Sequence, residues 1–328
     1  MMRRMKKYAA LFLAMVMIAG IAGCESKKEE APKEEVEETT ETEEQEEETD
    51  EEEVADEFTG EYVVNTDYVI EHMNSEDVIL VDARGEEAAA EETVEGAIAT
   101  TWQYLATCED GVPGDANWGC ILDTERLGQR LGELGLDKEK EIILFAAADE
   151  GWGDDGRIAW ELLAAGYEDV KIVNGGFQGL KAAGAEMQQG ASQPQPCEIT
   201  VDAIDETHVI NTDELQENYD SYKVVDVRAD EEYNGEILYG EANGGHLPGA
   251  VHIRFTDLFQ EDSTLKTNAE LTQMFEDAGL SQDDQIVTYC TGGIRSAYMQ
   301  LVMEMCGFEQ VKNYDESFYR WAAVGELE

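Results

Sequence analysis

Positive charge is the scarcest commodity in this 328-residue chain: 22 Lys and Arg stand against 75 Asp and Glu, for a formal charge of −53. Phosphate backbones are held by clustered cations, so nucleic acid is excluded as a partner. A haloadapted surface is one reading of such an excess; the charge keeps a protein soluble and says little about its fold. Histidine is nearly absent, and His72, His208, His246 and His252 are scattered, so the sequence presents no cluster of metal ligands and implies no metal or other cofactor. Proline is rare too, with five residues, two of them in "GASQPQPCEIT" at 190–200. There is no long hydrophobic run. The longest, Tyr8 to Gly23, is 16 residues, short of the roughly 20 that a spanning helix needs.

That run follows the basic segment "MMRRMKK" and ends in Ile21-Ala22-Gly23-Cys24. The order reads as a secretory signal over residues 1–24. Its last four residues resemble the lipobox of bacterial lipoproteins, which implies lipidation of Cys24 and a protein exported and anchored, facing outward, on a bacterial cell membrane. Residues 25–57 hold 19 acids and three lysines with almost nothing apolar, and so read as a self-repelling tether. Extended, it reaches about 110 Å. With +4 in the leader and −16 in the tether, residues 58–328 carry −41.

What is abundant is aromatic and β-branched: 13 Tyr, 5 Trp and a 42% hydrophobic fraction, enough for buried cores. These residues repeat. "ILVDARGEE" at 79–87 returns as "VVDVRADEE" at 224–232, placing Asp82 with Asp226 and Arg84 with Arg228 at an offset of 144. "ELGL" and "EIILFA" return as "DAGL" and "QIVTYC" at the same offset, and "GYEDV", Phe177 and Gly184 return 141 residues later. One unit has been duplicated, over 58–187 and 201–328, with 188–200 as linker. Short β-branched runs alternate with amphipathic segments in each copy, the pattern of an α/β fold whose parallel sheet is flanked by helices. Thr267-Asn268-Ala269-Glu270 has the form of a capping box, with Gly279 at the opposite end. After Arg295, apolar residues at 297, 298, 301, 302 and 305 predict one buried helix face.

The chemistry sits in "VTYCTGGIRSAY", 287–298. Cys290 falls where a strand ends and a helix begins, the place where parallel α/β folds bind ligands. Thr291, Gly292, Gly293, Ile294 and Ser296 supply successive N–H groups to an anion cradle, and the helix start adds its positive end. Both lower a thiol pKa and favour the nucleophilic thiolate. Arg295 then gives this acidic protein a fixed cation with which to hold an anion. In the first copy Ala146 stands at the cysteine position, and the stretch to Arg157 carries Asp149, Glu150, Asp154 and Asp155. That copy reads as catalytically silent.

Over roughly residues 60–328 the chain resembles the tandem-domain rhodaneses, the thiosulfate and mercaptopyruvate sulfurtransferases. "VVDVRADEEY", "GGHLPGAVHI", "YDESFYRW", "VNGGFQGL" and the C-x-x-G-x-R loop carry the resemblance. It implies ping-pong transfer: Cys290 takes sulfur from a small anionic donor, becomes a persulfide, and passes the sulfur to a thiol, cyanide or a thioredoxin-like acceptor. Asp226, Arg228, His246 and His252 then read as structural. Glu232 departs from the pattern, since relatives often carry an arginine before the aromatic at Tyr233. Cysteine phosphatases and arsenate reductases of related geometry use C-x5-R; the spacing here is C-x4-R, which favours attack on sulfur. A surface lipoprotein that uses the fold for partner binding or sulfur carriage is the non-enzymatic alternative. With Cys24 lipidated, Cys108, Cys120, Cys197, Cys290 and Cys306 remain, an odd number that leaves at least one thiol free; export permits a Cys108–Cys120 disulfide, while Cys306 reads as core.

Overall fold

A computed structural model describes residues 57–328; the leader, Cys24 and all but the last residue of the acidic segment lie outside the described residues. The duplication is visible strand by strand. The first sheet runs Ile98–Ala99, Val78–Asp82, Glu141–Phe145, Val170–Val173, Val63–Val64. The second runs Val251–His252, Lys223–Asp226, Ile286–Tyr289, Val311–Tyr314, Val209–Ile210 in the same order, and all pairs in both are parallel. Even the register repeats: Asp82 pairs with Phe145, and Asp226 with Tyr289. These central strands are buried on both faces, which is why their sequences are near-continuous apolar runs rather than alternating ones. A two-stranded antiparallel ribbon, Thr93–Val94 with Met187–Gln188, closes the first unit and draws Gln188 into it.

The helix Asn268–Asp277 begins as its sequence predicts. Thr267 accepts from the Glu270 N–H while Glu270 accepts from the Thr267 N–H, and Gly279 follows at φ +89°. The helix Ile294–Met305 differs from its one-faced prediction: every residue from Arg295 to Met303 is buried. Its outer face is covered by Asp154–Ala164, the corresponding helix of the first unit. Gly156 makes that approach feasible, since a Cβ there would stand 2.3 Å from the Tyr298 ring. The two helices meet at their N-terminal ends, and the cysteine loop lies at this junction.

Candidate active site

Cys290 directly follows the strand Ile286–Tyr289 and is 1% exposed. Its carbonyl accepts from the Ser317 hydroxyl (3.0 Å) and its N–H donates to the same oxygen (2.9 Å). Ser317 holds φ +53° to make this bridge, an unusual backbone for a serine. Gly293 takes φ +88° as N-cap of the following helix, and a Cβ there would lie 2.6 Å from the Asp315 carbonyl. Only glycine fits both demands. The resulting turn points the Gly293 N–H at Cys290 Sγ, 3.2 Å away. The Ser296 hydroxyl lies 3.7 Å from the sulfur and donates to Asn313 Oδ1 at 2.7 Å.

Burial pushes the Cys290 thiol up, but the Arg295 charge, N–H groups of the cradle and the Ser296 hydroxyl outweigh it, and the thiol ends below its ordinary value. Burial drives the other thiols the opposite way, Cys108 to about 12 and Cys306 to about 11, with Cys120 and Cys197 also raised. Cys108 and Cys120 are both free thiols.

Arg295 does not present a spare cation to the cavity. Its guanidinium forms a two-pronged ion pair with Glu232, 2.8 Å on each arm, and donates to Thr291 Oγ1 at 2.9 Å. The ring of Trp152, from the first unit, lies 4.7 Å from it. Burial pushes the Glu232 carboxyl up, but Arg295 and Thr291 more than reverse that, so it is ionised at neutral pH. The anion-holding role expected of Arg295 is therefore largely offset by a residue 63 positions upstream. An arginine at 232 would crowd two guanidinium groups into one buried slot. Neutralisation is the informative change. Glu232→Gln should move the pH midpoint of Cys290 alkylation lower, because it unmasks the neighbouring cation; Arg295→Met should move the midpoint higher. Midpoints unchanged in both variants would show that the pair does not act on the thiol.

The first unit's Arg157 is not a relic. It is fully buried and donates to Glu161 Oε1 (2.9 Å), to the Gly119 carbonyl (3.1 Å), and across the interface to Asp315 Oδ1 (2.6 Å) and the Gly293 carbonyl (3.2 Å). Asp315 Oδ2 accepts from the Ile121 N–H, and Glu316 accepts from the N–H of Asn117. The first unit's equivalent of Arg295 thus braces the other unit's cysteine loop. Its own unit has Ala146, 1% exposed, with Asp155 buried beside it.

A cavity of about 310 Å³ opens above Cys290. Thr291, Gly292, Ile294 and Arg295 line it from the second unit, with Gly293 and Ser296 behind the sulfur. Trp102, Trp118, Trp152 and Asp154 come from the first unit, and Tyr239 and Tyr319 from the second. Sequence reasoning missed that these residues form walls and missed what Arg157 and Ser317 hold, although Trp152, Asp154 and Arg157 lay in the first copy's loop and Ser317 and Tyr319 in a motif already singled out. The expected structural residues stay outside the cavity. Asp226 and Arg228 pair at 2.7 Å, with the guanidinium 3.8 Å from the Phe318 ring, and Asp82, Arg84 and Phe177 repeat the arrangement. His246 and His252 stack on Tyr233. No group of three or more His, Cys, Asp and Glu among the described residues is placed to hold a metal ion.

The model of the rhodanese-like domain matches twice, over residues 65–183 and 211–324. The chain belongs to the rhodanese-like family. It is 26% identical over 276 residues to a protein of Mycobacterium tuberculosis named for thiosulfate sulfurtransferase activity, a match covering 81% of this chain and 95% of the relative. A sulfur carrier protein of Thermus thermophilus is 28% identical over 283 residues (80% and 93%), and human 3-mercaptopyruvate sulfurtransferase 27% over 202 residues (60% and 67%). Among solved structures, the anaerobic ergothioneine biosynthesis enzyme of Chlorobium limicola has the same fold, with a TM-score of 0.71 at 20% identity over 82% of this chain and 70% of that one. Sulfur transfer is the activity these curated relatives of the rhodanese-like chain are named for.

Proposed function

We propose that this rhodanese-like protein is a sulfurtransferase that works through a Cys290 persulfide. The observation that carries the reading is the cysteine itself: a buried sulfur whose pKa is lowered, facing a glycine N–H at the mouth of a helix. The thiolate attacks the outer sulfur of a donor such as thiosulfate or 3-mercaptopyruvate. The S–S or C–S bond of the donor breaks, its electron pair leaves with sulfite or the pyruvate carbanion, and Cys290 holds the sulfur. The cradle N–H groups stabilise the charge on the persulfide. An acceptor (a thiol, cyanide or a thioredoxin-like protein) then attacks the outer sulfur and restores the thiolate.

Peptide mapping after donor treatment tests this directly. One added sulfur is expected on Cys290 and none on Cys108, Cys120, Cys197 or Cys306, whose thiols are all raised. Equal labelling of any of the four would overturn the assignment. Donor loading without turnover to any small acceptor would instead favour sulfur carriage, the role named for the Thermus relative.

We further propose that Cys24 is lipidated and that residues 25–57 space the two units from the outer face of a bacterial membrane. Cys24→Ala should move the protein out of the membrane fraction or leave its leader uncleaved. Normal processing with unchanged fractionation would show that no lipid is attached there.

A further inference from the structure

The cavity over Cys290 has two chemically opposite ends. Its floor favours negative charge, through the Gly293 N–H and the start of the Ile294–Met305 helix. Its walls favour positive charge. Trp118 meets Tyr319 edge to face at 5.4 Å, and Trp152 meets Tyr239 at 5.0 Å, so their ring faces are fixed by each other. Aromatic faces carry negative potential and attract cations; Trp152 already has the Arg295 guanidinium 4.7 Å from its centroid.

Asp154 stands among these rings without a cationic partner. The nearby arginines are engaged elsewhere, Arg157 with Glu161 and Asp315, and Arg295 with Glu232. Burial pushes its carboxyl up to about 6, which still leaves it ionised above neutral pH. A second carboxylate close by, Glu241, keeps one oxygen buried with no hydrogen-bond partner while its other oxygen accepts from the Tyr239 N–H. An inorganic anion would find its cation masked by Glu232 and a carboxylate at the wall. A molecule with a thiolate at one end and an ammonium at the other matches both ends.

We propose that the Cys290 cavity takes a small ammonium-bearing thiol as its sulfur acceptor, the cation held among the tryptophan and tyrosine rings beside Asp154 and the thiolate facing the persulfide. This rests on the sulfurtransferase reading for the acceptor role, though not for the binding. The acceptor thiolate attacks the outer sulfur of Cys290–S–SH. A new S–S bond forms in the product R–S–SH, the bond from Cys290 Sγ to the outer sulfur breaks, and its electron pair returns to Sγ as thiolate under the Gly293 N–H. Atoms and charge balance, with no oxidant or reductant. The cavity has room for a molecule of about ten heavy atoms, and the −41 charge of the two units draws cations toward it from a distance.

Three short thiols separate the charges: cysteamine (ammonium), 2-mercaptoethanol (neutral) and 3-mercaptopropionate (carboxylate, one carbon longer). Binding is measured by calorimetry on the Cys290→Ser protein at about pH 8, where Asp154 is ionised. Release of sulfur from the wild-type persulfide is timed with each thiol and corrected for its thiolate fraction. Cysteamine should bind about tenfold more tightly than 2-mercaptoethanol and clear the persulfide faster by a similar factor, with 3-mercaptopropionate the weakest. Asp154→Asn should bring cysteamine to within about twofold of 2-mercaptoethanol, since the neutral thiol never used the charge. Equal affinities, a preference for 3-mercaptopropionate, or a cysteamine preference that survives Asp154→Asn would each overturn the proposal. A protein that binds cysteamine selectively but never gains a persulfide would retract the sulfurtransferase reading and the acceptor role, while leaving the cation site standing.

Discussion

Cys290→Ser is expected to lose sulfur transfer altogether, a fall in kcat/KM of at least about 10⁴-fold for any donor. A serine hydroxyl has no means of becoming the thiolate-like nucleophile that the cradle stabilises, and an alkoxide lies far outside the range in which one N–H and one guanidinium operate. The fold should hardly change. The serine oxygen can take the Gly293 N–H that now points at Sγ, and the Ser317 bridges use only the backbone of residue 290. The stability difference should therefore stay within about 1 kcal/mol. Steady-state kinetics beside urea unfolding make the distinction. Turnover persisting in the serine variant would mean that the reaction runs through another group.

Arg157→Met is expected to injure both stability and rate, from the unit in which Ala146 stands at the cysteine position. Removing a fully buried guanidinium strands its partners. Glu161 can become neutral, since burial already pushes its carboxyl up to about 8 against the pull of Arg157. Asp315 has less freedom, because its second oxygen still accepts from the Ile121 N–H. Breaking a buried pair in this way costs about 3–5 kcal/mol. The Gly293 carbonyl also loses a donor, so the turn that aims its N–H at the sulfur loosens. A displacement near 1 Å is enough to lower kcat by about 10²-fold. Arg157→Lys should rescue little, because one ammonium cannot reach four acceptors set in a planar fork. Kinetics at low temperature, where the variant remains folded, separate the two effects. A variant with wild-type kcat and stability would show that the brace is idle.

The sequence by itself determined a good deal here. The duplication is a comparison of the chain with itself and needs no coordinates; the repeated register of Asp82 with Phe145 and Asp226 with Tyr289 follows from it. The α/β class was legible because buried parallel strands are runs of β-branched residues, and the capping box at Thr267 because capping is local. Cys290, the glycines and Arg295 were legible for the same reason: a strand, a tight turn and a helix start lie within a dozen residues.

Only the tertiary structure decided what those residues face. Glu232 meets Arg295 across 63 positions, and Arg157 meets Asp315 across 158. Trp102, Trp118 and Trp152 lie outside the regular strands and α-helices, where aromatic residues follow no period that would announce a wall. The buried outer face of the Ile294–Met305 helix was hidden in the same way, since its cover is another domain's helix, which Gly156 lets approach. Helix and strand signals come from neighbours a few residues apart, whereas charge and ring contacts depend on how two copies of one unit meet. In this protein that meeting sets a cysteine loop at the floor of an aromatic cavity whose one arginine is paired and whose wall carries a carboxylate.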